Sequence, residues 1–229
     1  MNKQLEQEPM AELFQQHIAE KLSRFQRILE SLGWDEIVIG SGSEKYQFQD
    51  DMAYPFKANP YFREWLPLDK RSNCYLQIQR NSEKPILYLQ NIEDIWHSAA
   101  QRLPGDYCQY LEIIEYSDLD RLKKYLGNAQ NKRLLINETN ELGMPDSQWN
   151  LQQALHAIDF QRRHKTPYEH ACVREATKLA VPAHRAAERA FRAGASELEV
   201  ASAYLKACKR SENEMPYGII AGINENAAV

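Results

Sequence analysis

The sequence of 229 residues is poor in cysteine and contains neither a long apolar run nor an export signal. No apolar run approaches the ~18 residues that a membrane-spanning helix needs, and residues 1–14 hold no apolar signal-peptide core. The cysteines lie far apart without a CxxC pair; they are Cys74, Cys108, Cys172 and Cys208. Because zinc knuckles and redox motifs need closely spaced cysteines, the sequence predicts neither. A reducing, cytoplasmic location with no membrane partner is the simplest interpretation.

The charge balance argues against a nucleic-acid partner. The chain carries 28 Lys and Arg against 32 Asp and Glu, a net charge of −4. Affinity for nucleic acid comes largely from phosphate neutralisation, which a mildly acidic chain supplies poorly. A small basic cluster at residues 162–165 lies just before a predicted helix and is interpreted as a solvated connector. With 43% hydrophobic residues, the composition is typical of a globular protein of one large or two small domains.

Helical and strand patterns alternate in the first two thirds of the sequence. Residues 11–33 carry apolar side chains at helical spacing, and the stretch ends at Gly33, a typical residue after a helix. Apolar or alternating runs predict five strands, a hairpin between the second and third, and a short helix after the fourth; the runs are DEIVIG, CYLQIQR, KPILYLQ, YLEIIEY and RLLINE. The alternation predicts an α/β domain over residues 1–157.

From residue 158 the pattern is helical. Thr166, Pro167 and Glu169 have the order of a capping box with proline at the first helical position. Ser196 and Glu199 also have the spacing of a capping box and predict the start of a further helix. The run PYGIIAGI near the end of the sequence has the aromatic and β-branched content of a strand. The sequence therefore predicts a second domain over residues 158–229 that begins with helices and opens a sheet.

The loop of residues 49–65 is the most unusual, since it pairs Asp50 with Asp51 among aromatic residues and two prolines. Adjacent carboxylates repel, which raises the pKa of one of them if they share a site. The stiffened loop could present an acid to a ligand, but a rigid surface turn is the favoured interpretation from the residues alone. Tyr217, at the start of the last predicted strand, is either a core residue, which is favoured, or a hydroxyl lining a cleft.

No catalytic or metal-binding constellation follows from the residues alone. His170 and Cys172 point to different faces of a helix, so their spacing is wrong for a metal site. His184 and Glu188 fit the spacing of a solvated pair on one helix face. The Gly-rich run at residues 40–43 lacks the lysine and the spacing of a phosphate-binding loop.

Three stretches resemble bacterial Xaa-Pro dipeptidases (prolidases), in the same order and at the same spacing. DDMAYPFKANPYFREWLPL is similar to a loop of their N-terminal domain, KTPYEHACVREATKLAVPAHRAAERAFRAG to the helical entry of their catalytic domain, and MPYGIIAGINENAAV to its first strand. The resemblance covers residues 11–229 and is weakest between residues 92 and 155. It implies a mixed-sheet α/β domain followed by the beginning of a "pita-bread" catalytic domain.

The resemblance also implies an activity, cofactors and partners. Members hydrolyse dipeptides that end in proline, using two divalent metal ions, usually manganese or cobalt, held by two Asp, one His and two Glu. In the family all five ligands follow the stretch that matches the end of this sequence. The 229 residues are therefore interpreted as the N-terminal part of a homodimeric prolidase, expected to bind no metal and to be inactive alone. The alternative is a non-catalytic dimerisation or interaction module, or the product of a pseudogene.

Two substrate-binding positions carry over by resemblance. Asp51 matches the aspartate that reaches into the neighbouring subunit's substrate pocket, and Tyr217 matches the tyrosine that lines the small substrate pocket. Pro182 departs from the family, and a proline inside a helix is expected to kink it. The incomplete second domain is expected to expose an apolar helix face and to aggregate; the residues of that face are Leu179, Ala183, Ala187 and Phe191.

Overall fold

The computed structural model describes residues 7–91, 102–127 and 132–227. The chain forms two compact units, Met1–Tyr168 (unit 1) and Glu169–Val229 (unit 2). The predicted domain boundary after residue 157 stays a prediction. Among the helices in the described ranges, none combines the length and the apolar character that crossing a membrane requires.

Unit 1 contains a five-stranded sheet with helices before, between and after its strands. The helices are α1 Gln7–Leu32, α2 Pro60–Arg63, α3 Gly105–Cys108, α4 Leu119–Leu126 and α5 Gln152–Arg162. The strands are β1 Glu36–Gly40, β2 Cys74–Gln79, β3 Ile86–Gln90, β4 Glu112–Tyr116 and β5 Arg133–Ile136. All five predicted strands, the long first helix and the short helix after β4 are confirmed. Gly33 has a φ of 71°, the left-handed conformation expected where α1 ends.

The sheet is mixed, with strand order β4-β3-β2-β1-β5. β2 pairs antiparallel with β3, which confirms the predicted hairpin, and β1 also pairs antiparallel with β2. β1 runs parallel to β5, with Ile39 opposite Ile136, and β3 runs parallel to β4. The carboxyl ends of β1 and β5 therefore meet at one edge of the sheet.

The two faces of the sheet bury different side chains, as the period of two along a strand requires. Ile37 and Ile39 pack in the larger core with α1 and α5, whereas Val38 between them packs in the smaller core with α4. The smaller core also holds a buried polar network. Arg133 Nε lies 2.5 Å from Glu36 Oε1, Gln77 donates to Glu36, and the Tyr88 hydroxyl donates to Gln77.

The connector between α5 and the next helix is fastened to α1. Arg24 of α1 donates to the carbonyl oxygens of Gln161 and His164. Side chains 163–165 are exposed, as a solvated connector requires. Arg162 differs, since its guanidinium lies 2.9 Å from a buried carboxylate oxygen of Glu64. The predicted connector is thus confirmed except at Arg162, which is part of an ion pair.

Unit 2 is helical. Helix α6, Pro167–Arg192, begins at the predicted proline and continues through Pro182, and α7 spans Glu197–Cys208. The predicted capping box of Ser196 and Glu199 is confirmed. Two short 3-10 helices, Glu212–Glu214 and Asn224–Ala227, follow.

The predicted strand over residues 216–223 is wrong. The described part of unit 2 contains no strand, and a strand needs a partner for its backbone groups. The segment is instead held to α7 by a side chain, because Glu197 Oε1 accepts from the Ile223 N–H at 2.8 Å.

The predicted exposed face of α6 is confirmed in part. Leu179 and Phe191 are 51% and 55% exposed, Ala187 is partly buried, and Ala183 is fully buried, so its expected exposure is wrong. The next residue, His184, packs its ring against Tyr204 of α7, so α7 packs against this part of α6.

Candidate functional site

The loop that carries Asp50 and Asp51 is a short hairpin of unit 1 whose side chains are mostly exposed. Residues Tyr46 and Ala53 form an isolated antiparallel bridge. On either side of this bridge, the Gln47 N–H donates to Met52 O at 2.9 Å and the Tyr54 N–H donates to Lys45 O at 2.8 Å. Residues 45–54 are called the acidic hairpin below. The interpretation of residues 49–65 as a surface turn is confirmed for its first part only, because Pro60–Arg63 form α2 and Ala58, Phe62 and Trp65 are buried.

Asp50 closes the turn of the acidic hairpin. Its Oδ1 accepts the Met52 N–H at 2.9 Å, and this backbone hydrogen bond lowers the pKa of the Asp50 carboxyl from its usual value. The expected rise in the pKa of one carboxyl, which depended on a shared site, does not occur at Asp50. The reason is that both carboxylates face water, where repulsion is weak and a hydrogen bond to the charged form dominates. Asp51 lies next to it with its side chain exposed.

Apolar side chains surround the two carboxylates on the acidic hairpin. Phe48 is 91% exposed and Met52 is 57% exposed, and two tyrosines beside them are more than half exposed. We call this set the tip patch; it consists of Tyr46, Phe48, Met52 and Tyr54. Exposed aromatic side chains grouped around a charge are unusual on a surface without a partner or a ligand.

The base of the acidic hairpin is held by a carboxylate that the sequence analysis missed. Glu141 accepts hydrogen bonds from the hydroxyls of Ser43 at 2.7 Å, Thr139 at 2.8 Å and Tyr75 at 2.8 Å. Partial burial raises the pKa of Glu141, but these three hydrogen bonds outweigh it and hold the pKa below its usual 4.5. No local signal marks the cluster, because Ser43 and Glu141 are 98 positions apart.

Tyr217 lies in unit 2, in the segment between the two 3-10 helices. Its side chain is 74% exposed, so the favoured interpretation of Tyr217 as a core residue is wrong. The predicted strand, which would have buried one face of this segment, does not form. The substrate-binding roles of Asp51 and Tyr217 stay predictions.

Metal-ligand types do not cluster in the described ranges. No group of three or more His, Cys, Asp or Glu side chains there could hold a metal ion. The His184 ring packs edge-on against Tyr204 at 5.0 Å between centroids. Glu188 contacts Arg185 at 2.9 Å and Arg192 at 3.0 Å, so the carboxylate predicted to pair with His184 instead bridges two arginines.

Residues 12–160 match the family model described as "Xaa-Pro dipeptidase, N-terminal domain". The chain belongs to this family. The match spans the sheet of unit 1, its helices α2 to α4, the acidic hairpin and most of α1 and α5. It confirms the resemblance to prolidases over the N-terminal part of the chain.

Relatives extend the likeness across nearly the whole chain. The Xaa-Pro dipeptidase of Pseudoalteromonas haloplanktis is 38% identical over 224 residues, covering 97% of this chain and 51% of the relative. That of Pseudoalteromonas atlantica is 37% identical over 222 residues, covering 96% and 50%. That of Edwardsiella ictaluri is 37% identical over 224 residues, with the same coverage. The chain thus spans about half the length of these relatives.

Solved structures of related peptidases share the fold. A prolidase from Pyrococcus furiosus superposes with a TM-score of 0.52 at 14% identity, covering 82% of this chain and 52% of that one. A histidine-to-alanine variant of Escherichia coli aminopeptidase P gives 0.50 at 17% identity, covering 82% and 49%. The fold class is therefore confirmed: a mixed-sheet α/β unit followed by the first helices of the pita-bread fold.

Proposed function

We propose that the chain is the N-terminal part of a Xaa-Pro dipeptidase, a hydrolase that cleaves dipeptides ending in proline. The observation that carries the proposal is the family match over residues 12–160, extended by relatives that align over 96–97% of the chain. The proposed location is cytoplasmic, the compartment that the scattered cysteines predict. Xaa-Pro dipeptides are the proposed substrates, and a homodimer is the proposed assembly.

The proposed reaction needs two divalent metal ions, manganese or cobalt, which activate water and polarise the scissile carbonyl when bound. The residues of the described ranges do not fit such a centre, because they offer no group of three or more ligand side chains. No step of the hydrolysis is therefore derived from them. We propose that the 229-residue chain alone turns over no dipeptide.

The contribution proposed for this chain is to substrate binding. Asp51 would reach into the substrate pocket of the neighbouring subunit, where an exposed carboxylate attracts the ammonium group of a dipeptide. The exposure of Asp51 at the turn of the hairpin supports this role, since a side chain must be accessible to enter another subunit. Tyr217 would line the same kind of pocket, and its 74% exposure leaves the hydroxyl accessible.

The test is a fusion of residues 1–229 to the part of the P. haloplanktis relative that follows the matched region. Purified with manganese, the fusion should release proline from a Xaa-Pro dipeptide, and the 229-residue chain should not. Asp51→Asn and Tyr217→Phe should raise KM, whereas Glu44→Gln, an exposed carboxylate outside the acidic hairpin, should leave it unchanged. A folded, metal-loaded fusion without activity would refute the proposed function, and turnover by a 229-residue chain of verified mass would refute its inactivity.

The tip patch favours a second candidate, a dimerisation or interaction module without catalysis. Aromatic side chains are enriched in protein–protein interfaces, and those of the tip patch are exposed. Sedimentation of the chain, with and without a full-length prolidase, tests this candidate. Self-association or binding that Phe48→Ser abolishes would support it, and a monomer that binds no prolidase would exclude it.

A further inference from the structure

The residues that hold the acidic hairpin lie at the edge of the sheet where parallel strands β1 and β5 end. The chain leaves β1 at Gly40 and passes through Ser43 into the hairpin, while the segment after β5 carries Thr139 and Glu141. Parallel pairing places these two exits side by side. Tyr75 reaches the same point from β2, which is the other neighbour of β1.

The Glu141 carboxylate can accept from three hydroxyl donors on its two oxygens, whereas a neutral amide side chain has one acceptor oxygen. Its Oε1 accepts from Ser43 and Thr139, and its Oε2 accepts from Tyr75. Each hydroxyl has a single proton to donate, and Ser43 Oγ also lies 2.7 Å from Asn73 Oδ1, so the Glu141 carboxylate competes with a neutral amide oxygen for the Ser43 proton. Hydrogen bonds to an ionised carboxylate are stronger than those between neutral groups.

Backbone hydrogen bonds fix the chain just before Ser43 and just after the hairpin. The segment before the hairpin is fixed to β2, because the Ser41 N–H donates to Cys74 O at 2.7 Å and the Asn73 N–H donates to Gly42 O at 2.8 Å. The returning leg comes back to the same place, where the Asn59 N–H donates to Ser41 O at 2.8 Å. The two legs of the hairpin therefore meet near Ser41, and Glu141 adds a side-chain contact to the outgoing leg at Ser43.

A neighbouring ion pair does not provide the same anchoring. Lys45 Nζ lies 3.3 Å from Glu138 Oε2, but these side chains are 68% and 43% exposed. Exposed ion pairs contribute little to stability, since water screens the charges and the long side chains lose conformational entropy when they pair. Glu138 and Glu141 thus form a matched pair of carboxylates near the base of the hairpin, one exposed and one with three hydroxyl donors.

We propose that Glu141 is a positioning residue, which fixes the base of the acidic hairpin through Ser43 and thereby sets where Asp51 stands. The role of Glu141 in substrate binding rests on the proposed function of Asp51, whereas its anchoring of the hairpin does not. Glu141 acts through Asp51 and need not touch the substrate.

Amide hydrogen exchange of the 229-residue chain tests the anchoring. In Glu141→Gln the Tyr54 and Gln47 amides, which close the hairpin, should exchange about tenfold faster or more, because losing charged hydrogen bonds favours local opening. Glu138→Gln should change them by less than about twofold. Unchanged amides in Glu141→Gln would overturn the proposal. If amides of β2 also exchange faster in Glu141→Gln, the substitution has disturbed more than the hairpin. Ser43→Ala then tests the contact alone, since it keeps the carboxylate. Hairpin amides that stay protected in Ser43→Ala would overturn the proposal.

Kinetics of the fusion described above test the positioning. Glu141→Gln should raise KM with kcat within about twofold, and it should add little to Asp51→Asn, since coupled residues are not additive. If Asp51→Asn leaves KM unchanged, the proposed role of Asp51 fails while the exchange result still decides the anchoring. If Asp51→Asn raises KM and Glu141→Gln does not, the positioning role is overturned.

Discussion

Replacing Gly40 by alanine should destabilise unit 1 through a single crowded contact. A Cβ on Gly40 would lie 2.4 Å from both Cγ and Oδ1 of the Asn137 side chain. The Asn137 side chain has little free space to move into, because it is 2% exposed, and its backbone is held by hydrogen bonds of the N–H and the carbonyl to Asn150. Forcing an extra carbon into a packed interior typically costs ~1–3 kcal/mol, and we expect Gly40→Ala to lower the free energy of unfolding by that amount.

Urea unfolding followed by fluorescence measures this loss, with the fully buried Trp65 as reporter in unit 1. Gly105→Ala is the control, since a Cβ added at Gly105 would meet no neighbouring atom within 4 Å, and it should change the free energy by less than ~0.5 kcal/mol. In an Asn137→Ala background, Gly40→Ala should also cost less than ~1 kcal/mol. An equal loss in both backgrounds would refute crowding against Asn137 as the cause.

Four further predictions follow from other contacts. Arg133→Met should cost ~3–5 kcal/mol in urea unfolding by leaving Glu36 charged and buried, and Glu36→Gln/Arg133→Met should cost less; equal losses would contradict this account. Ser196→Ala should cost ~1 kcal/mol by removing the cap of α7, whereas Ser202→Ala inside that helix should cost nothing, as thermal melting would show. The folded pKa of Glu141 lies below 4.5, so its contribution is complete above pH 4.5 and is lost as pH falls through the folded value; acid titration of stability should be steeper for the wild type than for Glu141→Gln. The exposed Leu179 and Phe191 should make the chain associate, and a monodisperse sample at high concentration in sedimentation would contradict that.

Local patterns were sufficient for most helices and strands but not for their arrangement. The alternation in β2 and β3 predicts a hairpin, because both strands and their turn are contiguous in sequence. The parallel pairing of β1 with β5 joins segments about a hundred residues apart, and no local pattern encodes it. Residues 216–223 are the opposite case, in which a local pattern predicts a strand that does not form. Their composition suits a strand, but strand formation depends on a partner that composition does not reveal.

The candidate site divides in the same way. The aspartates, aromatics and prolines of residues 49–65 are adjacent in sequence, so their unusual grouping is evident from the amino-acid order alone. Glu141 is one carboxylate among 32 acidic residues until the fold brings Ser43, Thr139 and Tyr75 to it. Such a carboxylate can be recognised only from the hydrogen-bond donors that surround it in the folded chain, and these depend on the strand order.

The register of β1 against β5 connects the stability of the sheet to the position of Asp51. With Ile39 opposite Ile136, the next residues along the two strands, Gly40 and Asn137, pack against each other. Beyond Gly40 and Asn137, the segments that follow the two strands include Ser43 and Glu141, which are joined by a hydrogen bond. A residue larger than glycine at position 40 would separate the exits just before that contact. The same close approach that excludes a side chain at Gly40 thus allows Glu141 to hold the acidic hairpin.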